Sequence, residues 1–282
     1  MATITGQLLG VRSDHDARIL LAVDGSLVNV ALGGRFSWHF ETPRICVGRV
    51  ADARHIPCPL RAQVSDGQCS VCNELEDPAC VFEPRCAQDP DSCTCVSSFR
   101  DVPHIVYLAW YGTLPKIGMT QEPRFLRRLQ EQGADGAAVL LAQHDGQPLT
   151  RGGARAAEKQ ISYVYRIPEY RTYRETLAQL NRAVPWERME EKNRQVITKI
   201  AERFPVTENF VRIDFHALQQ PLAAQPFRVY PEETLQGTWR GAKGPYLFFE
   251  ASRMGRLDVG GPAVAAVKSN DIVGRYVTCD EQ

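Results

Sequence analysis

His104-Ile105-Val106-Tyr107-Leu108-Ala109-Trp110-Tyr111-Gly112-Thr113-Leu114-Pro115-Lys116-Ile117-Gly118-Met119-Thr120 is the stretch whose reading decides the fold of this 282-residue chain. An apolar run from His104 to Trp110 predicts one short strand, and Lys116-Ile117-Gly118-Met119 predicts a second. Pro123 suits the first position of a helix, which should run to about Gln132-Gly133, where glycine ends it. A third strand is expected at Ala137–Ala142, and a second helix from near Gly153, with Glu158, Ile161 and Tyr165 at helical spacing. After Pro168 a longer helical stretch, interrupted by Pro185, should reach about Arg203. The centre of the chain, residues 100–204, therefore reads as a β-β-α-β-α unit, and the whole as an α+β protein.

The flanks read as β structure. Arg18-Ile19-Leu20-Leu21-Ala22-Val23, a turn at Asp24-Gly25-Ser26 and Leu27-Val28-Asn29-Val30 give a hairpin signal within residues 1–45. In residues 205–282, Phe210-Val211-Arg212-Ile213-Asp214-Phe215 alternates at period two. Glycine punctuation surrounds Tyr246-Leu247-Phe248-Phe249 and Val264-Ala265-Ala266-Val267. The two ends are expected to pair into one small β domain, a barrel or a sandwich.

Between them lies a cysteine-rich module, residues 46–99. Eight of the nine cysteines fall between Cys46 and Cys95. The N-terminus, MATITGQLLGVRSDHDARIL, has neither a basic flank nor an apolar run, and no stretch has the roughly 20 apolar residues of a membrane span. A cytoplasmic location with no membrane association is expected, where thiols stay reduced and clustered cysteines read as metal ligands. Cys69-Ser70-Val71-Cys72 lets two sulfurs reach one tetrahedral centre. The grouping that follows is Cys46, Cys58, Cys69 and Cys72 at one zinc ion, with Cys80, Cys86, Cys93 and Cys95 at another, and His55 as a possible substitute. An iron–sulfur cluster is the thiolate-held alternative, although none of its familiar spacings is present. Cys279 reads as a C-terminal strand residue.

Net charge is zero, but it is unevenly spread. Residues 1–99 carry 8 basic and 12 acidic groups, residues 100–204 carry 17 and 12, and residues 205–282 carry 8 and 9. The mildly basic middle is compatible with a phosphate-bearing partner and equally with solvated helices.

His104-Ile105-Val106-Tyr107-Leu108-Ala109, Lys116-Ile117-Gly118-Met119-Thr120, Arg128, Gln132-Gly133-Ala134 and Glu158 together resemble the GIY-YIG nuclease core. They are closer still to an uncharacterised bacterial and archaeal family that joins a cysteine-rich module to a GIY-YIG-like domain. Its C-terminal GxxxGxKGxYL element is matched loosely by Gly237, Gly241, Lys243-Gly244 and Tyr246-Leu247. The resemblance implies a GIY-YIG-like domain at 100–204. It makes Tyr107, Arg128 and Glu158 the residues around a scissile phosphate, with His104 and Lys116 as further catalytic candidates. Glu158 would hold catalytic Mg²⁺ or Mn²⁺. Gly118, Thr120, Arg124 and Arg127 become candidate substrate contacts.

Without the resemblance, Tyr107 is a core tyrosine, the Arg124/Arg127/Arg128 row is a solvated helix face, and Glu158 is a surface ion pair. One departure bears on activity: Lys116 replaces the second signature tyrosine of GIY-YIG enzymes, as the related family also prefers. The leading expectation is a metal-dependent phosphodiesterase or nuclease acting on DNA or RNA. A core recruited to chemistry on a small metabolite, as in natural-product assembly, and a non-catalytic zinc-containing nucleic-acid-binding protein stand beside it.

Overall fold

The computed structural model describes residues 3–13, 19–23, 26–30, 33–41, 43–51, 54–65, 67–75, 102–180, 184–206, 209–213, 224–227, 229–230, 232–254, 257–273 and 275–281. Both helices and several sheets are present, so the chain is α+β. It divides into two compact units: residues 1–77 with 215–282, and residues 78–214.

In the first unit the chain runs through β1 (Thr3–Ser13), β2 (Ile19–Val23), β3 (Ser26–Val30), β4 (Arg35–Glu41), a short hairpin of β5 (Arg49–Ala51) and β6 (Arg54–Ile56), and α1 (Ser70–Leu75). The second unit follows with β7 (His104–Tyr111), β8 (Leu114–Gln121), a 3-10 turn at Glu122–Arg124 and α2 (Phe125–Gln132). It continues through β9 (Gly136–Leu141), a two-residue ladder of β10 (Gln143–His144) and β11 (Gln147–Pro148), α3 (Arg151–Tyr165), α4 (Tyr173–Leu180), α5 (Trp186–Ala201) and β12 (Asn209–Arg212). The first unit is completed by β13 (Gln225–Phe227), β14 (Glu233–Lys243), β15 (Tyr246–Met254), β16 (Leu257–Lys268), α6 (Ser269–Ile272) and β17 (Tyr276–Glu281).

Strands from both ends of the chain share one nine-stranded sheet, in the order β13-β16-β15-β14-β4-β17-β1-β2-β3. β4 lies between β14 and β17, with Trp38 opposite Leu235 on one side and Cys279 on the other. Alternation fixes which face is buried: Phe36, Trp38 and Phe40 point into the core while their neighbours are half-exposed. Phe249 is the centre of that core. Its ring lies 4.6 Å from Phe36, 5.1 Å from Trp239 and 5.3 Å from Trp38, all tilted or edge-on, as aromatic quadrupoles prefer.

The second unit is built on an antiparallel sheet in the order β12-β9-β7-β8. β7 is buried along its whole length because both faces are covered. Val106, Leu108 and Trp110 pack with Ala154 and Ile161 of α3 and Ile197 and Ile200 of α5. Ile105, Tyr107, Ala109 and Tyr111 pack on the other face with Phe125 and Leu129 of α2. β12 differs from the sequence reading, which grouped it with the C-terminal β segment. It pairs with β9 instead, and Phe210 packs 5.9 Å from Trp110 under the Arg194 guanidinium. Period two announces a strand, whereas its partner is chosen by which core takes its apolar face.

α2 ends where Gly133 adopts φ 72°. Its N–H bonds the Gln130 carbonyl at 3.0 Å, and the Ala134 N–H bonds that of Leu129 at 3.1 Å. This glycine-dependent closure leaves Gln132 as the last helical residue.

Because three aromatic rings lean on one, Phe249→Ala should cost about 3–5 kcal/mol of stability. Chemical denaturation of the two proteins measures this, and a loss under about 1 kcal/mol would show that the cluster repacks around the missing ring.

Candidate functional site

The first candidate site is the thiol cluster. The Sγ atoms of Cys46, Cys58, Cys69 and Cys72 lie within 4.8 Å of one another. All four are free thiols; Cys46, Cys58 and Cys72 are buried and Cys69 is partly so. Local backbone geometry assembles them. Gly48, at φ 82°, turns the chain after Cys46 so tightly that a Cβ there would meet the Ile56 carbonyl oxygen at 2.2 Å. The β5–β6 hairpin then returns to Cys58, and Cys69 and Cys72 bracket the start of α1.

Backbone donors already face the sulfurs: Cys69 N–H and Gly48 N–H point at Cys46 Sγ from 3.2 and 3.4 Å. Burial pushes the Cys46 and Cys72 thiols up. Burial works the same way on Cys58, but donors from Ala62 and Leu60 outweigh it and bring that thiol down to about 6. Four thiolates around a Zn²⁺ at about 2.3 Å would sit roughly 3.8 Å apart. Cys58 and Cys69 are 3.9 Å apart, and the cluster is compatible with a structural metal such as zinc. With four protein ligands the centre would have no open position, which suits folding rather than chemistry. Cys80, Cys86, Cys93 and Cys95 lie outside the described residues, as does the side chain of His55.

The second candidate site lies at the β8 edge of the second unit. Tyr107 stands opposite Gly118, and its ring lies across that residue: a Cβ on Gly118 would come within 2.6 Å of the phenol. Lys116, Gly118 and Thr120 share this face, since their partners across the ladder are Ala109, Tyr107 and Ile105. Gln132, delivered by the end of α2, collects the donors. Its Oε1 accepts from Lys116 Nζ at 2.8 Å, from Tyr111 Oη at 3.3 Å and, at the outer limit, from Tyr107 Oη at 3.5 Å. The positive charge of Arg128, one turn earlier, bears on both Tyr107 and Lys116. Glu158 of α3 is buried and acts electrostatically on the same two residues.

Glu158 is ion-paired with Arg155, whose guanidinium also bonds Glu169 at 2.6 Å. Burial raises the Glu158 carboxyl above its usual range, against the pull of Arg155 and Lys116. Burial, helped by the like charge of Arg128, brings Lys116 down to about 8, and it pushes Tyr107 up to about 12. The phenol therefore keeps its proton at neutral pH, and the lysine is the group poised to exchange one.

Of the residues singled out in the sequence, the structure brings together Tyr107, Lys116, Gly118, Arg128 and Glu158. Thr120 lies two residues further along the same face and is buried. Arg124, at the end of the 3-10 turn, and Arg127, on α2, are exposed and, like Arg128, pair with Glu131 at 3.0–3.7 Å. His104 is not brought to the cluster. Strand alternation puts it on the opposite face from Tyr107, where its Nδ1 lies 2.7 Å from the Val102 carbonyl and burial lowers its basicity. Sequence reasoning missed three participants: Gln132, seen only as part of a spacing motif; Tyr111, hidden in the apolar run; and Arg155, the cation that holds Glu158. Glycine after Gln132 was the available signal, because it fixes that side chain at the helix end.

No helix among the described residues is long and apolar enough to cross a membrane. The family model for "Protein of unknown function (DUF2797)" matches residues 33–260, well over half of the chain, and spans both candidate sites. No curated protein and no solved structure matches the chain.

Cys72→Ser removes one of four buried ligands. Elemental analysis of the purified protein should then find markedly less zinc, together with a lowered unfolding midpoint. Full zinc content in that variant would mean that the metal is held elsewhere.

Proposed function

The chain belongs to the DUF2797 family, and from the geometry of its second candidate site we propose that it is a phosphodiesterase or nuclease acting on DNA or RNA through a GIY-YIG-like site at the β8 edge. One observation carries the reading: Tyr107, Lys116, Arg128 and Glu158, drawn from two strands and two helices, meet around the end of α2. The element order β7-β8-α2-β9-α3, a β-β-α-β-α run, supports it.

Arg128 and the protonated Lys116 form a cationic pair suited to one phosphate group, the guanidinium as a planar donor and the ammonium as a point charge. In hydrolysis a water oxygen bonds to phosphorus while the bond to one ester oxygen breaks. The water gives up a proton and the departing oxygen gains one. Lys116, held at Nζ by Gln132, carries a proton it can release near pH 8. Tyr107 keeps its own and so serves as a hydrogen-bond donor rather than a base.

Glu158 is the residue that would hold Mg²⁺ or Mn²⁺. Mg²⁺ sites commonly use one or two carboxylates together with substrate phosphates, and this buried carboxylate meets that minimum. Arg155, Lys116 and Arg128 oppose a bare cation, so the residues fit the metal together with an anionic substrate. When bound, the ion would offset phosphate charge and acidify a water molecule.

Lys116, standing where GIY-YIG enzymes carry their second signature tyrosine, favours a second reading: a core recruited to chemistry on a small metabolite. That protein would bind no polynucleotide, yet would lose turnover when Tyr107 or Arg128 is changed.

Single-stranded, duplex and branched DNA and RNA, incubated with Mg²⁺ or Mn²⁺, separate the readings. Wild type should cleave at least one, and Glu158→Gln should abolish cleavage while the circular dichroism spectrum stays that of the folded protein; retained cleavage would remove Glu158 from the metal site. In a second measurement, without divalent ions, oligonucleotide affinity should fall as pH rises through about 8, where Lys116 loses its charge. Lys116→Gln should flatten that profile.

A further inference from the structure

After α3 the chain turns at Arg166, whose φ of 54° reverses its direction, and residues 168–171 run back along the outer edge of β8. Ile117 N–H donates to the Pro168 carbonyl at 3.1 Å, and Arg171 Nε donates to the Pro115 carbonyl at 3.0 Å. Between these anchors Glu169 bonds Arg155, the partner of Glu158. The strap is thus tied on both sides of Lys116 and directly to the ion pair of the site. Tyr170, the residue between Glu169 and Arg171, is 72% exposed.

An aromatic ring left in water on a segment so firmly fixed does not serve the core. Tyr163, on the outer side of α3, is 87% exposed, with Lys159 one turn before it on the same face. Lys159, Arg166 and Arg174 are all exposed, and none has an ion pair among the described residues. By contrast Arg155 and Arg171 in the same region are neutralised by Glu158, Glu169 and Glu175. Exposed rings interleaved with uncompensated cations are what a strand of unpaired bases on a phosphate backbone requires: the rings stack on bases and the cations track phosphates. A duplex hides its base faces and gives a protruding tyrosine nothing to stack on.

Resting on the phosphodiesterase reading, we infer that the substrate is presented as a single strand, with Tyr170 stacking on the base beside the phosphate held by Arg128 and Lys116, and Tyr163 on a base further along. A mononucleotide offers the same base and phosphate but would leave Tyr163 and the three outer cations unused.

Fluorescence anisotropy without divalent ions tests this, using a labelled twelve-nucleotide single strand, its duplex, an abasic strand of equal length and a mononucleotide competitor. Wild type should prefer the single strand. Tyr170→Ala should weaken that binding by about 5- to 150-fold, the range for one lost base stack. Tyr170→Phe should restore it, and on the abasic strand the Tyr170→Ala effect should vanish. Because the ring is exposed, the alanine variant should keep the wild-type circular dichroism spectrum. Arg128→Ala separates the two layers of the argument. Loss of binding there with none in Tyr170→Ala overturns the stacking and leaves the phosphate site standing. Preference for duplex, or binding of the mononucleotide alone, overturns the single-strand assignment. Binding of no polynucleotide by wild type overturns both this inference and the reading beneath it.

Discussion

A carboxylate taken out of water holds its charge only if a cation is fixed against it, and Arg155 is that cation for Glu158. The pair does more than neutralise. Through its second bond, to Glu169, the guanidinium ties α3 to the strap that closes the β8 edge. That strap in turn satisfies backbone groups of β8 at Pro115 and Ile117, on either side of Lys116. A bare edge strand is a liability for unwanted pairing, and here the covering segment is held by the charges that shape the site. Removing Arg155 would therefore leave a buried anion and loosen a strand edge in one step.

The two candidate sites solve opposite problems. Around the thiols the described residues give a small cluster of Cys46, Cys58, Cys72, Ala62, Val64 and Cys69, and a bound ion would add cohesion to it. Around Tyr107 there is ample core on both faces of β7, and the difficulty is to keep polar groups among it. Gln132 resolves this by offering one amide oxygen to three donors, so that neither phenol nor ammonium is buried without a partner.

Much of this was legible in the sequence for physical reasons that can be named. Apolar runs and Gly133 placed β7, β8 and α2 to within a few residues, because they report burial and a left-handed backbone that few residues other than glycine adopt. The clustering of Cys46, Cys58, Cys69 and Cys72 was legible because the CxxC spacing lets two sulfurs share one tetrahedral centre and clustered reduced cysteines read as a ligand set. Other features were hidden. Partner choice for β12 depends on long-range packing, and the facing of His104 depends on strand parity relative to a core unknown in advance. Arg155 looked like half of an ordinary surface pair with Glu158, and only the fold shows the pair nearly buried and extended to Glu169.

The placement of β4 between β14 and β17 bears on the order in which the protein can form during synthesis. The residues of the second unit are contiguous and leave the ribosome together, so that unit has every strand of its sheet before the first unit does. β4 must wait, with both edges open, until the pairing residues of β14 at Glu233–Thr238 have been made, and longer still for β17. Over that interval the exposed Phe36, Trp38 and Phe40 face is a target for chaperones or for a neighbouring nascent chain, so the wait between the making of β4 and that of its partners, rather than the finished protein, is where aggregation threatens most.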